Sequence, residues 1–327
     1  MTTNHAVVFG GSGFIGTHLV QHLQREGRYE RITIADVVPP PAPVPGVEHA
    51  TVDVRRPIPA DIVDGAARPV LYNLAAVHRT PGHPEHEYYE TNVLGAVNIC
   101  DFANRVGARD ILFTSSIAVY GPGEERKTET TPPTPESAYG WSKLMAEEVQ
   151  RSWHRLGDGR RLTVVRPAVI FGRGERGNFT RLAQALSRGT FVYVGRRDTI
   201  KACGYVEDLV HALEFMHARG EPETMFNFSY PRAYTIEEIC EAFHRVGALR
   251  RPLGTAPLPV LNLAARGFEV LDGLGLRNSV SRDRIQKLVR STHIEPTVLA
   301  TAAFPYATDL EEGLRRWRVD NAQGRFA

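Results

Sequence analysis

The 327 residues include only three cysteines, Cys100, Cys203 and Cys240, which are odd in number and far apart. That excludes a disulfide framework and the paired spacing of a zinc site, and a reducing cytoplasm is the expected compartment. Charge of one sign is equally scarce. Lys and Arg total 39 against 37 Asp and Glu, a formal net charge of +2, so the electrostatic footprint of a nucleic-acid binder is missing. Long apolar runs are absent too. The best candidate, Leu258 to Leu276, carries Arg266, Glu269 and Asp272, whereas a bilayer span needs about 20 nearly uncharged residues. It reads as an amphipathic helix on a globular body. The opening MTTNHAVVFGG has no basic n-region and its apolar run is soon broken by glycine, so no signal peptide is expected. There is no internal repeat.

What is present is a period. Short β-rich runs at Ala6 to Gly10, Arg31 to Ala35, Val47 to Val52, Val70 to Ala75, Asp110 to Ser115 and Leu162 to Arg166 alternate with helix-period segments. The helices are expected at Phe14 to Glu26, Glu87 to Val106 and Ser137 to Leu156. This alternation predicts an α/β chain with a Rossmann-type, doubly wound parallel sheet. One connection differs: Pro39, Pro40, Pro41, Pro43 and Pro45 forbid a helix between the second and third runs. After Arg166 the regularity fades, which suggests a smaller, less regular C-terminal lobe. Helices are expected there near Thr180 to Arg188, Glu207 to Ala218, Thr235 to Val246, Leu258 to Leu276 and Ser281 to Val289, with strands at Phe191 to Val194 and Met225 to Phe228.

The first strand runs straight into GGSGFIG, with Gly10, Gly13 and Gly16 three apart. Such glycines allow a tight turn, close backbone approach to a pyrophosphate and close helix–strand packing, while the helix N-terminus favours the anion. A glycine triplet alone fits any tight strand-to-helix turn. Asp36, twenty residues beyond Gly16 at the end of the second strand, adds a carboxylate suited to adenine ribose hydroxyls and hostile to a 2′-phosphate. The expected cofactor is therefore NAD rather than NADP. Asp53 and the NLAA of Asn73 to Ala76 stand after the third and fourth strands, at the sheet edge where ligands bind.

Tyr139 and Lys143 are four apart on an expected helix and share a face. A nearby ammonium favours phenolate, so the spacing predicts a Tyr139 pKa lowered toward neutrality and suited to proton transfer. The fifth strand ends in FTSSIAVYG, bringing Ser115 and Ser116 to the same edge, where a serine hydroxyl can bind a substrate oxygen.

Taken together, GGSGFIG, Asp36, Asp53, NLAA, YYETNVLGAVNIC, TSSIAVYG, TPPTPESAYGWSK, RPAVIFG and GYVEDLV resemble the extended short-chain dehydrogenases/reductases, and within them the NAD-dependent epimerase/dehydratase group acting on nucleotide sugars. The resemblance covers most of the chain. It implies a cofactor domain over 1–172 with a return segment of about 203–230, and a substrate lobe over 173–202 and 231–327. It makes Ser116, Tyr139 and Lys143 the catalytic group, Ser116 being chosen because it lies four residues before Tyr120. Lys143 also holds the nicotinamide ribose. Phe14 and Ile15 offer backbone donors to the pyrophosphate, Asp53 and Val54 contact adenine, and Ala75 lines the cofactor. Asn92 helps order the active site, and Pro167 to Ile170 lie near the nicotinamide.

Within that group the resemblance implies epimerisation at C4 of a nucleotide-diphosphate sugar through a transient 4-keto sugar. A 4,6-dehydratase carries an Asp-Glu pair beside its active-site Thr, whereas Ser116 is followed by Ile117 and Ala118. The alternatives are a 4-keto-sugar reductase, a hydroxysteroid- or flavonol-like alcohol dehydrogenase, and more distantly a non-enzymatic NAD sensor. Asn178 and Lys201 are the expected substrate diphosphate contacts, with Lys201 standing where relatives carry Arg. Arg282, Arg284 and Lys287 form a basic stripe that serves either the same anion or only solvent. His78, His83 and His86 lack helical ligand spacing, and no metal is expected. In relatives the two long helices pair across a two-fold axis, so a homodimer is expected, with no nucleic-acid partner and no membrane span.

Overall fold

The computed structural model describes residues 4–63, 68–78, 82–257, 289–321 and 326. Apart from Val289, the helices expected over 258–276 and 281–289, and with them Arg282, Arg284 and Lys287, lie outside the described residues.

Seven strands form one parallel sheet: β1 (Asn4–Phe9), β2 (Arg31–Asp36), β3 (Val47–Thr51), β4 (Arg68–Asn73), β5 (Asp110–Thr114), β7 (Arg161–Pro167) and β11 (Glu223–Phe228). Their order is β11-β7-β5-β4-β1-β2-β3. The direction of winding reverses between β1 and β4, and a crevice opens there at the carboxyl ends of the strands. The proline-rich segment between β2 and β3 contains no helix. Met225 to Phe228 is part of β11, which pairs in register with β7 from Glu223↔Leu162 to Phe228↔Pro167.

Alternate side chains of the buried strands face opposite layers. Val7, Phe9, Leu71, Ile111, Phe113 and Val164 pack with Ile99, Phe102, Ala146 and Trp153. These helical residues come from α3 (Gly95–Arg105) and α4 (Ala138–Arg155). On the other face Val8, Ile34, Tyr72, Leu112 and Val165 pack with α1 (Phe14–Glu26) and α6 (Val206–Ala218). The segment before α3 is not regular α-helix: α2 (Glu85–Tyr88) leads into a π-helical turn, Tyr89–Leu94, which carries Asn92.

The second lobe contains α5 (Asn178–Arg188), α7 (Ile236–Gly247), α8 (Thr297–Thr301) and α9 (Leu310–Asp320). Three two-stranded pairs accompany them: β8 (Val169–Phe171) with β10 (Cys203–Tyr205), β9 (Tyr193–Val194) with β12 (Thr255–Ala256), and β6 (Gly123–Lys127) with β13 (Thr292–Ile294). Its centre is aromatic. Phe171 stacks on Phe179 at 4.6 Å, and Trp317 meets Phe326 edge-on at 5.2 Å. This cluster is continuous with the α1–α6 layer, so the lobe shares a core with the sheet.

Candidate active site

At the crevice, the loop from β1 to α1 fits only because it lacks side chains. Gly10 has φ +76°, and a Cβ there would lie 2.7 Å from the Ala75 backbone nitrogen. A Cβ on Gly16 would lie 2.3 Å from the Gly10 carbonyl oxygen. Gly13 differs: its Cβ would meet only that carbonyl, at 3.2 Å, and the residue is exposed. It keeps the open side of the turn clear. Gly13 is also the N-cap of α1 and supplies no side-chain cap, and the first turn holds no acid. The helix therefore presents backbone donors and its positive end to the crevice. Phe14 and Ile15, both half-buried, follow directly.

Asp36 closes β2 with its carboxylate accepting from the Ser12 and Val38 backbone nitrogens at 3.1 and 3.2 Å. Ser12 Oγ donates to the Val38 carbonyl at 2.8 Å. These bonds lock the carboxylate at the rim. Asp53 is engaged by its neighbour: Arg55 binds both oxygens at 2.7–3.1 Å and holds the carboxyl below the usual range, the side-chain hydrogen bond acting most. Val54 is buried, with its side chain against Gly95 and its carbonyl accepting from Asn98. Ala75 stands beside Gly10 at the switch point.

Ser116 leaves β5 in extended geometry and caps a 3-10 turn, Ile117–Tyr120, through Ala118 N–H to Ser116 Oγ at 3.1 Å. Its own proton is then available to the Tyr139 phenol, whose pKa the Ser116 hydroxyl acts to lower. Tyr139 gets there because Ser137 caps α4 by accepting from Gly140 N–H at 3.1 Å. Gly140 is needed for the close approach, since a Cβ there would lie 2.5 Å from the Ala118 carbonyl oxygen. Asn92 fixes the same turn. Its amide bonds both backbone groups of Val77, at 2.9 and 3.1 Å, and Ser142 Oγ at 2.8 Å; Ser142 in turn donates to the Tyr139 carbonyl at 2.9 Å. Both ends of the Asn92 amide are thus occupied within the protein. Its part is to hold Tyr139 in place, in a π turn of the kind that often marks functional sites.

Lys143 is 2% exposed, with its ammonium 4.6 Å from the centre of the Phe113 ring. Among the described residues it has no hydrogen-bond acceptor. The expected lowering of Tyr139 by Lys143 is not found. Burial pushes the phenol up, the Ser116 bond opposes it, and Tyr88, 6.3 Å away ring to ring, adds to the rise. Lys143 has no part in these influences, and burial brings the lysine itself down to about 7, against the upward influence of Glu147.

Glu147, unremarked in the sequence, is fully buried one turn beyond Lys143. It accepts from Ser115 Oγ at 2.5 Å and from Arg166 through two nitrogens, at 2.9 and 2.6 Å. Arg166 also donates to Tyr120 Oη at 2.8 Å, and that hydroxyl donates to Asn227. The visible signals were the Tyr139, Lys143, Glu147 spacing and a lone Arg inside the apolar strand LTVVRP. Pro167 and Ile170, both buried, lead from β7 toward the second lobe.

The expected diphosphate contacts lie on that lobe. Asn178 opens α5, exposed, with Oδ1 accepting from Arg181 at 2.8 Å. Lys201 donates to the Arg290 carbonyl at 2.7 Å, and burial lowers it to about 8. Of the histidines, His83 pairs with Glu87 at 2.7 Å, and no group of three His, Cys, Asp or Glu able to hold a metal occurs among the described residues. All three cysteines are buried free thiols.

The crevice suits a dinucleotide on its own terms: glycines where a Cβ would fill the cradle, an uncapped helix start, a rim carboxylate and an ammonium on a nearly buried lysine. Comparison with known proteins agrees. A sequence model of the NAD dependent epimerase/dehydratase family matches residues 6–228. The N-acetyl-alpha-D-glucosaminyl-diphospho-ditrans,octacis-undecaprenol 4-epimerase of Escherichia coli O157:H7 is 30% identical over 246 residues, covering 74% of either chain. The UDP-glucose 4-epimerase of Lactobacillus helveticus is 27% identical over 281 residues, 77% of this chain and 84% of that one. Among solved structures, MoeE5 with UDP-glucuronic acid and NAD superimposes with a TM-score of 0.75 at 24% identity, covering 94% of this chain and 96% of that one.

Proposed function

The chain belongs to the NAD-dependent epimerase/dehydratase family, and from that premise we propose that it inverts C4 of a sugar carried on a nucleoside diphosphate. The observation that carries this reading is the Ser116–Tyr139 pair set beside the unpartnered Lys143 ammonium at the mouth of the dinucleotide crevice. NAD supplies, when bound, the acceptor and later the donor of the hydride. Tyr139 Oη takes the proton of the sugar 4-hydroxyl and later returns it, while Ser116 Oγ holds that oxygen. Lys143 binds the nicotinamide ribose. The backbone donors of Phe14 and Ile15, with Gly10, Gly13 and Gly16, cradle the pyrophosphate. Asp36 binds the adenine ribose, Asp53 and Val54 border the adenine, Ala75 lines the cofactor, and Pro167 to Ile170 lie near the nicotinamide. Asn92 supports the site through Tyr139.

Epimerisation needs nothing more than this group, because the keto sugar turns over and receives hydride on its other face. Dehydration needs an acid pair next to the serine, where Ile117 is buried instead. The residues over 173–202 and 231–327 form the substrate lobe, with Asn178 and Lys201 facing the diphosphate, and 1–172 with 203–230 forms the cofactor unit. A second reading of the carrier is supported by the E. coli relative, whose sugar sits on diphospho-undecaprenol: the diphosphate and sugar are shared and only the distal group differs.

The enzyme works as a homodimer in the cytoplasm. Support for the pairing comes from Leu94, Val97, Trp141 and Met145, large apolar side chains 43–48% exposed on the helices flanking the site; light scattering showing a monomer at micromolar concentration would remove it. Support for the compartment comes from the unpaired cysteines, and no helix among the described residues is long and apolar enough to cross a membrane.

The test is a panel of UDP-, GDP- and dTDP-sugars plus an undecaprenyl-diphosphate sugar, read by NMR of the product. C4 inversion without net NADH turnover is expected. Stoichiometric consumption of NADPH without inversion would replace the epimerase with a reductase.

A further inference from the structure

Lys143 is nearly sealed from water, yet the reaction asks it to carry charge at neutral pH. A buried ammonium with no hydrogen-bond acceptor gives up its proton readily. Two features of its surroundings oppose that: the face of Phe113 at 4.6 Å, which attracts a cation, and the carboxylate of Glu147 at i+4 on the same helix, where side chains are neighbours.

The surroundings of Glu147 are built with care. The carboxylate is 0% exposed and fully occupied: Ser115 Oγ holds one oxygen, Arg166 grips both, and Arg151 approaches at 3.2 Å. Arg151 is itself matched by Glu148 at 2.6 Å and Glu223 at 3.0 Å. Arg166 is held in place by Tyr120, through Oη at 2.8 Å and through the ring face at 4.9 Å. The group joins three elements that border the site. Ser115 precedes Ser116 at the end of β5, Glu147 follows Lys143 on α4, and Arg166 precedes Pro167 at the end of β7.

We propose that Glu147 is a positioning residue of the catalytic group, whose carboxylate, gripped by Arg166, sets a negative charge beside the Lys143 ammonium and ties the Ser116-bearing strand end to the helix of Tyr139. The proposal deepens the epimerase reading and rests on it for the importance of Lys143. Glu147 itself touches neither substrate nor cofactor.

The test is a direct titration of Lys143 in the cofactor-free protein by NMR of 13C-labelled lysine, assigned with Lys143→Met. Glu147→Gln keeps the shape of the side chain and removes its charge. Glu147→Asp keeps the charge and changes the shape. The expected result is a Lys143 midpoint roughly one pH unit or more lower in Glu147→Gln, the size of effect an adjacent opposite charge produces, and close to wild type in Glu147→Asp. The alkaline limb of kcat against pH moves in the same direction as far as turnover depends on the ammonium. A wild-type midpoint in Glu147→Gln overturns the proposal, as does an equal drop in both variants, which is what a purely steric role predicts. Where Glu147→Gln does not fold, the double change Glu147→Met with Arg166→Met is compared with Arg166→Met alone, so that the two differ only in the Glu147 charge, and an unchanged Lys143 midpoint between them overturns the proposal. The titration needs no substrate. A negative result there leaves the epimerase reading intact, and a failed substrate panel leaves the titration valid.

Discussion

Both faces of the central sheet bury helical carboxylates, and two of these, Glu147 and Glu214, are treated differently. Glu147, on the α4 face, is 0% exposed and is met by a guanidinium through two nitrogens and by a serine hydroxyl. Glu214, on the α6 face, is 3% exposed and is met by a single phenol, Tyr72 Oη at 2.8 Å, which also contacts Tyr29 Oη at 2.7 Å. Arg28 reaches Glu214 only at 3.3 Å and from a half-exposed position, and its Oε2 has no hydrogen bond. Burial pushes the Glu214 carboxyl up, with the Tyr72 bond and Arg28 opposing weakly. The number and charge of donors, more than depth, decide whether a buried acid keeps its charge. The acid with the fuller set of donors is the one on the helix of Tyr139 and Lys143.

The contrast should be widest in turnover. Tyr139→Phe is expected to lower kcat by about 10²–10⁴-fold, the range for a lost acid–base group, while NAD still binds; Tyr72→Phe, on the other face, should leave kcat within about twofold. Steady-state assays of both variants decide it, and an active Tyr139→Phe would end the assignment of that phenol. Next comes stability. Arg166→Met leaves the buried Glu147 side chain stripped of its main partner, a loss of about 3–5 kcal/mol in denaturant unfolding. Arg28→Met, at a half-exposed partner, should cost less than about 1 kcal/mol. Equal losses would erase the distinction between the two carboxylates.

Tyr72→Phe should be intermediate, about 1–3 kcal/mol for the hydrogen bond removed from a buried acceptor, again read by denaturant unfolding. The smallest effect is a pH signature. Because the folded value of Glu214 is raised, its contribution is present in full below the unfolded carboxyl value of about 4.3 and is lost as pH climbs through the folded value. Glu214→Gln, neutral throughout, should therefore raise Tm at pH 8 by about 2 °C and leave it unchanged near pH 4. A lower Tm at pH 8 would show that the ionised form is the favoured one.

Most of the geometry around Ser116, Tyr139 and Lys143 was legible in the sequence, and the reason is that its signals are local. The start of α1 and its glycines follow from a strand running into GGSGFIG, and Tyr139 and Lys143 share a face through spacing alone. Helix bounds fell within a residue or two of expectation where capping residues such as Ser137 mark them. Glu147 and Arg166 stayed hidden because their pairing runs from the middle of α4 to the end of β7, a contact set by tertiary packing. The same holds for Gly140, whose need is created by a carbonyl on another segment, Ala118. The expected pull of Lys143 on Tyr139 was missed for a related reason: spacing predicts adjacency, but not the desolvation that takes charge from the lysine first.

The placement of β11 bears on how the protein is made. The strand that completes the sheet beside β7 ends at Phe228, where the family match also stops. A nascent chain that has emerged only as far as β7 would present a bare edge of unpaired backbone groups, a template for association with other chains. The cofactor half is therefore a late product of translation, finished only when a segment from beyond the first part of the lobe arrives. Truncations placed just after Phe171 should aggregate rather than yield a free dinucleotide-binding unit, and a shortened version for expression has to retain residues through Phe228.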